Sequence, residues 1–380
     1  MYFSPALLAR LALFCLLLTL PAAARATSSQ YAPIMPRASE SLLLDVTLAG
    51  TRLLAVGEHG IILYSDDSGA TWQQARVPTT QMLTSVYFID PQRGWAAGHD
   101  GLILVSDDAG VNWRIQRDGI AAQQQANLEQ REVAHDTVAR LEQALAAADP
   151  ADRAELQTEL DDARLDLEDA DDALDEPAFA SPLMDIWFQD RERGWAVGAF
   201  GTLLATRDGG KHWGSQSDLL DNPDGFHLNT VTGDGAGRVF VAGEGGVMFR
   251  SPDGGATWET LEPFYEGSWF GAVYSPVGQV LLVFGLRGHL YRSEDFGNQW
   301  QPVTDDNTMT LAGGSPADNG DIVLVGGVGT VLRSRDGGRS FALSMLPDRL
   351  GLSAAVQRGD QLILVGQGGV KRLPVGAGHD

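Results

Sequence analysis

Apolar and polar positions along this chain fall into short runs that recur in one order. In the clearest copy, Leu83-Thr84-Ser85-Val86-Tyr87-Phe88 is an apolar, β-branched and aromatic run, followed by the turn Asp90-Pro91-Gln92-Arg93. Gly94-Trp95-Ala96-Ala97-Gly98 forms a second run, Gly101 to Val105 a third, and Asn112-Trp113-Arg114-Ile115 a fourth. Short runs bounded by Gly, Asp and Pro predict the strands of an antiparallel sheet, and no helical stretch inside the unit could carry a parallel crossover. The second and third strands are joined by a Gly-flanked turn that occurs seven times. Its copies are Gly57–Gly60, Gly98–Gly101, Gly198–Gly201, Gly243–Gly246, Gly285–Gly288, Gly326–Gly329 and Gly366–Gly369.

Between the third and fourth runs lies an eight-residue pattern: Ser or Thr, any residue, Asp, any, Gly, any two, then an aromatic. Its fixed residues are Asp67, Gly69 and Trp72; Asp108, Gly110 and Trp113; Asp208, Gly210 and Trp213; Asp253, Gly255 and Trp258; Asp295, Gly297 and Trp300; and Asp336, Gly338 and Phe341. The aromatics lie 41, 100, 45, 42 and 41 residues apart. A period near 42 means one supersecondary unit repeated. The long interval is one period with 59 residues inserted.

A seventh unit, Leu352 to Val375, has three strand-like runs and stops where its motif would follow. The segment Tyr31 to Arg37, extended by Pro33 and Pro36, is expected to supply the missing outer strand from the other end of the chain. The fold class predicted is all-β: a seven-bladed β-propeller, whose radial closure deals with exposed sheet edges. Residues 27–118 would hold the closing strand and blades 1–2, and residues 178–380 blades 3–7.

The insertion, 119–177, obeys another period. Leu156, Leu160, Ala163, Leu167, Ala170 and Leu174 are spaced as a heptad seam, and Ala134, Val138, Leu141, Leu145 and Ala148 form a matching stripe. Asp149-Pro150 between them reads as an N-cap with proline at the first helical position. An antiparallel helical hairpin is predicted, of coiled-coil type. In a four-stranded meander the inter-blade link lies on the same face as the turn from second to third strand. The hairpin should therefore project from the face that carries Glu58, His59, His99, Asp100, Phe200, Glu244 and Arg287, the expected partner-binding face.

Charge sharpens this division. The net charge is −23, and the insertion alone holds 17 acidic side chains against Arg131, Arg140, Arg153 and Arg164. Nucleic acid and anionic membrane surfaces are disfavoured as partners, since both need clustered Lys and Arg. Residues 1–26 read as a secretory signal: Arg10, the apolar run Leu11 to Leu20, then Pro21 and Ala24-Arg25-Ala26. Cys15, inside that run, is the only cysteine, so the mature chain would have none and no disulfide framework. No membrane insertion is expected after cleavage, and the location expected is the periplasm.

The eight-residue motif resembles the Asp-box, or bacterial neuraminidase repeat, which is a structural turn on the rim of propellers. A lone carboxylate per turn is a poor oxygen cage for calcium. Sialidases of that architecture need three arginines, a Tyr–Glu pair and an Asp acid/base. Here only Arg37 and Arg52 lie between the predicted leader and the first motif, and Tyr265-Glu266 lies in what reads as an ordinary loop. A carbohydrate-binding or sialidase-like propeller is the alternative reading. His59 and His99 read as exposed turn residues, because the other five turns supply no further histidine. No metal, cofactor or catalytic residue is expected.

Taken together, the leader, the Gly-Trp-Ala-Ala-Gly and Gly-Trp-Ala-Val-Gly second strands (94–98 and 194–198), Asp90 to Arg93, Asp190 to Arg193 and the Asp-box turns resemble the photosystem II assembly and stability factor family. That resemblance implies a non-enzymatic seven-bladed propeller that binds a membrane subunit during complex assembly. It also implies an arginine-rich surface, for which Arg287, Arg292, Arg333 and Arg335 are the candidates. Relatives in non-photosynthetic bacteria imply a partner among membrane exporters of the resistance-nodulation-division type. The function expected is an assembly or accessory factor for an inner-membrane complex.

Overall fold

A computed structural model describes residues 31–304 and 306–375; the predicted leader lies outside them. Seven antiparallel sheets follow one another along the chain, each paired in sequence order. Blade 1 comprises Leu43–Ala49, Arg52–Gly57, Ile62–Ser65 and Gln73–Gln74, and blade 2 Leu83–Phe88, Gly94–Gly98, Ile103–Ser106 and Arg114–Arg117. Blades 3 to 6 repeat this plan from Leu183, Leu228, Trp269 and Leu311. Blade 7 has three strands, Leu352–Arg358, Gln361–Gly366 and Gly369–Pro374. The architecture is the predicted seven-bladed propeller. Apart from Arg52 and Gln361 at their starts, the second strands are buried, and their apolar side chains pack between blades, as in the cluster of Leu54, Val56 and Ile62 with Leu83, Val86 and Leu104.

The first glycine of every Gly-flanked turn is required by close approach. A Cβ on Gly57, Gly98, Gly198, Gly243, Gly285, Gly326 or Gly366 would lie 2.0–2.2 Å from the carbonyl oxygen of the residue just before its blade's first strand. The same oxygen accepts the amide of the following residue, as in Glu58 N–H to Leu42 O (3.1 Å) and His99 N–H to Met82 O (2.9 Å). The turn thereby ties down the start of the blade, and any larger residue would break that bond.

The eight-residue motifs form the same hydrogen-bonded turn six times. Ser65 Oγ donates to Asp67 Oδ1 (2.8 Å) and accepts the Gly69 amide (2.9 Å), while Asp67 accepts the Thr71 amide and hydroxyl at 2.8 and 2.6 Å. Each terminal aromatic sits in the gap between its own blade and the preceding one: Trp113 meets Phe88 of its own blade edge-to-face at 5.9 Å and joins the core between blades 1 and 2. A second device, unread in the sequence, also crosses blades here. The residue before the motif glycine offers its carbonyl to an arginine of the preceding blade. Arg52 reaches Ala109 O (3.1 Å), Arg93 reaches Gly209 O (3.1 Å), Arg250 reaches Phe296 O (3.2 Å) and Arg292 reaches Gly337 O (2.9 Å). Three of these arginines are braced by the motif of their own blade, through Asp66, Asp107 and Glu294.

Closure departs from the expectation. Tyr31 to Arg37 forms no strand and does not complete blade 7. It runs along blade 1 instead: Ala32 N–H donates to Val77 O (2.9 Å), and the Gln74 side chain takes the Met35 amide and donates to Pro33 O, both at 2.9 Å. Pro33 and Pro36 lack the donors a ladder needs, and one glutamine amide replaces them. Only the single turn Ala38–Glu40 reaches blade 7, with Ser39 and Glu40 against Gly369. The ring is closed by face packing, where Leu43, Val46 and Ala55 meet Ala354, Val356 and Ile363, and by Arg358 Nε donating to Thr51 O at 3.1 Å.

The insertion is a pair of helices, α1 (Gly119–Ala147) and α2 (Arg153–Asp175). Asp118 caps α1 by accepting the Ala121 amide at 3.0 Å. The contacts Asn127 to Ala173, Arg131 to Asp171 and Arg164 to Glu142 pair opposite ends, so the helices are antiparallel. Leu141, Leu160 and Ala163 form the buried seam, with Val138, Leu145 and Leu156 beside it. Asp149-Pro150 does not open α2; the chain first makes a turn from Asp149 O to Asp152 N–H, and α2 starts at Arg153. At 1.5 Å per residue the arms are about 43 and 35 Å long.

Arg292→Ala should strip a buried staple and leave the Gly337 carbonyl unpaired. Urea denaturation is expected to show a loss of about 2 kcal/mol, against less than about 0.5 kcal/mol for exposed Arg287→Ala.

Candidate partner-binding face

Six of the seven Gly-flanked turns place their third residue at a tip with positive φ: His59 (56°), Asp100 (58°), Phe200 (55°), Gly245 (64°), Arg287 (58°) and Val328 (57°). Non-glycine residues are uncommon in this region. Here the flanking glycines and the amide bond to the blade's start hold the backbone, so the tip residue is free to vary. The tips are therefore a ring of unlike side chains on one scaffold. His59, Phe200, Arg287 and Val328 are exposed, while Asp100 and Gly245 are half-buried.

The hairpin leaves from this ring. Arg117 Nη1 donates to Gly101 O (2.6 Å), and a Cβ on Gly119, the first residue of α1, would strike Asp100 O. The expected residues fall on the turns but do not converge into one cluster. Glu58 accepts the Leu42 amide (3.0 Å) and lies 3.8 Å from His59. His99 is half-buried, and Asp100 accepts from the Gln81 side chain. Glu244 accepts the His227 amide (3.3 Å), and Arg287 donates its own amide to Thr310 (3.4 Å). His227, missed in the sequence, is the more informative histidine: its Nδ1 accepts the Phe200 amide at 2.9 Å, and the two rings meet edge-to-face at 5.0 Å. Among the described residues no three His, Cys, Asp or Glu side chains are placed to hold a metal ion.

The arginine surface does not form as expected. Arg292 is buried in its staple, and Arg333 donates to Val375 O. Two of the four candidates are thus spent on blade-to-blade contacts. For the sialidase-like alternative, the central cavity of about 430 Å³ is lined by Asp45 and Asp185 and by no arginine. The Tyr265 hydroxyl donates to the Leu286 carbonyl at 3.3 Å, so it has a backbone partner.

The cavity wall carries a hydrogen-bonded belt at equivalent positions of successive blades. Asp45 accepts the Val46 amide (2.7 Å) and, across the blade gap, the Val86 amide (2.8 Å). Asp185 likewise accepts Ile186 N–H (2.8 Å) and Val231 N–H (2.9 Å). Ser85 Oγ stands between the two carboxyls, 2.8 Å from Asp185 and 3.3 Å from Asp45. One hydroxyl proton serves both contacts, so a proton on Asp45 completes the chain. Burial, with the Asp185 charge adding to it, pushes the Asp45 carboxyl up to about 7 against the bonds from Val86 and Val46. Burial also raises Asp185. The motif carboxyls behave oppositely. Hydrogen bonds from Thr71 hold Asp67 at about 2, and those from His212 do the same for Asp208. At Asp336 partial burial is outweighed by the Ser340 donors, again to about 2.

The fold is that of a seven-bladed propeller, and comparisons with known proteins agree on that class. Residues 173–321 match the family described as photosynthesis system II assembly factor YCF48. Photosystem II assembly lipoprotein Ycf48 of Synechococcus sp. (strain CC9902) is 29% identical over 160 residues, 41% of this chain and 47% of that protein. Photosystem II assembly protein Ycf48 of Thermosynechococcus vestitus is 29% identical over 159 residues, 42% and 45% respectively. The chain spans about half the length of the curated relatives it matches. Among solved structures, YCF48 bound to D1 peptide has a TM-score of 0.58 at 16% identity, covering 87% of this chain and 92% of that one. YCF48 from Cyanidioschyzon merolae gives 0.58 at 15%, covering 90% and 96%. The WD40 propeller domain of Doa1 gives 0.56 at 11%, covering 90% and 95%, so these likenesses show the fold. The matches make residues 173–321 similar to photosystem II assembly factors, and the ring as a whole similar to solved propellers.

The two carboxyl classes predict stability lost on both sides of an optimum. Asp45, raised in the fold, stabilises below about pH 4 and loses that contribution as pH rises through 7, on the order of 1 kcal/mol per pH unit. The motif carboxyls, depressed in the fold, stabilise above about pH 4 and lose it as pH falls toward 2. Denaturant titrations across this range should show Asp45→Asn flattening the fall between about pH 4 and 7 and leaving the acid limb below pH 4 intact. An unchanged slope between about pH 4 and 7 would remove Asp45 as its source.

Proposed function

We propose that this chain is a non-enzymatic, periplasmic protein-binding propeller that serves as an assembly or accessory factor for an inner-membrane complex. A resistance-nodulation-division type exporter is the candidate complex. The chain engages its partner through the hairpin-bearing face. The observation that carries this reading is the junction of Gly119 with the Asp100 turn, which roots a charged hairpin in the ring of variable tips. The opposite face is occupied by six near-identical motif turns whose polar groups satisfy one another. A related propeller captured with a D1 peptide supports peptide recognition by this architecture. A relative named as a lipoprotein is in line with export through the predicted leader, residues 1–26.

Pull-down from detergent-solubilised membranes with the mature chain, residues 27–380, should recover an integral membrane protein. A chain lacking residues 119–177 should recover much less of it. Recovery of no membrane protein by the intact chain would sink the reading.

A further inference from the structure

We propose that the Phe179–Phe200 pair at the root of the hairpin is the anchor site for a basic, arginine-bearing segment of a partner protein. The inference rests on the protein-binding reading above and names the chemistry recognised. Both rings are 62% exposed and lie edge-to-face at 6.0 Å, so two large aromatics form one uncovered patch. Isolated exposed apolar residues need no explanation, but a contiguous patch marks an interaction site.

The patch is held in place. Phe200 sits at φ 55°, a conformation fixed by its amide bond to His227 Nδ1 and by the glycine that follows. Strain of this kind persists only where the surroundings over-determine it. His227 backs the Phe200 ring at 5.0 Å, and Asn222 braces the adjoining loop through two bonds to the Phe226 backbone, at 3.0 and 3.1 Å.

Charge selects the occupant. Phe200 lines a cavity of about 310 Å³ together with Asp218, Asp221 and Asn222, and both aspartates are exposed. Phe179 follows the exposed Asp175 and Glu176 at the end of α2 by a few residues. The hairpin beyond carries 17 acidic side chains against four arginines. Two of those arginines, Arg131 and Arg164, are paired across the helices. Like charges along one helix repel, so a cationic partner relieves what the hairpin cannot satisfy alone. A guanidinium over the two ring faces, with carboxylates at its edge, satisfies both features at once; an acidic segment, a phosphate or an anionic lipid surface satisfies neither.

The test uses the mature chain and a fluorescein-labelled peptide of alternating arginine and leucine, followed by anisotropy at about 0.15 M salt, where distant charges are screened. Wild type is expected to bind it and to ignore an aspartate–leucine counterpart. The double variant Phe179→Ala/Phe200→Ala should bind about tenfold more weakly, while exposed Val277→Ala, in the turn between the first two strands of blade 5 and outside the ring of tips, stays at the wild-type value. Circular dichroism confirms that both variants fold. Failure of wild type to bind, equal binding of the two peptides, or an unchanged affinity in the double variant would each overturn the proposal. A membrane pull-down that survives the double variant overturns this inference alone, whereas a pull-down that fails for wild type overturns the wider reading.

Discussion

The rest of this structure depends on how each blade's rim is tied to the next. A motif carboxylate collects the amides and hydroxyl of its own turn, as Asp67 and Asp253 do, and so holds the loop rigid. The rigid loop turns one carbonyl outward, and an arginine of the preceding blade takes it, as Arg52 takes Ala109 O. The motif aromatic then fills the space between the two sheets. One eight-residue segment serves all three purposes: the turn and its aromatic recur six times and the arginine bond four times, and together they join neighbouring blades. A chain without disulfides can close a ring in this way because a charge-assisted bond to a fixed carbonyl is about twice as strong as a neutral one.

That arrangement divides the two faces by role. On the motif face the hydroxyl and carboxylate of each motif are spent within their own turn, and Arg292 and Arg333, which composition alone would assign to a surface, are spent on the neighbouring blade. On the opposite face each Gly-flanked turn holds its backbone through a main-chain bond to the start of its blade, with side chains such as Glu58 and His227 adding to it at single turns. The tip side chains are not needed for the fold, and their identities range from His59 to Phe200 to Arg287. Function has room to diverge where the backbone secures itself, and the inserted hairpin starts at that same face.

The channel belt shows a different use of buried polarity. Asp45 and Asp185 each reach across a blade gap to a main-chain amide, and Ser85 joins them. The equivalent positions in blades 5 to 7 are Gly271, Gly313 and Ala354, which cannot extend the belt. The first half of the ring is therefore joined by side chains along the channel, and the second half relies on face packing and the rim arginines.

Much of this was legible in the sequence, because repeats convert one reading into seven. The strand order, the seven Gly-flanked turns, the blade with no motif and the helical insertion with its Leu160–Ala163 seam all follow from periodicity, and so does the face from which the hairpin leaves. The start of α2 and the closing segment were misread for a common reason. Pro150 and Pro33 signal local geometry, but the loop closed through Asp149 and the capture of Met35 by Gln74 depend on partners that pattern does not reveal. The arginine staples, the His227 support of Phe200 and the Asp45–Ser85–Asp185 belt join residues about 27 to 116 positions apart. By itself the sequence determined the unit and its number, since hydrophobic period and turn chemistry are local. Only the tertiary structure decided which polar groups are satisfied within the ring and which remain for a partner, since that depends on what the closing ring brings within hydrogen-bond reach.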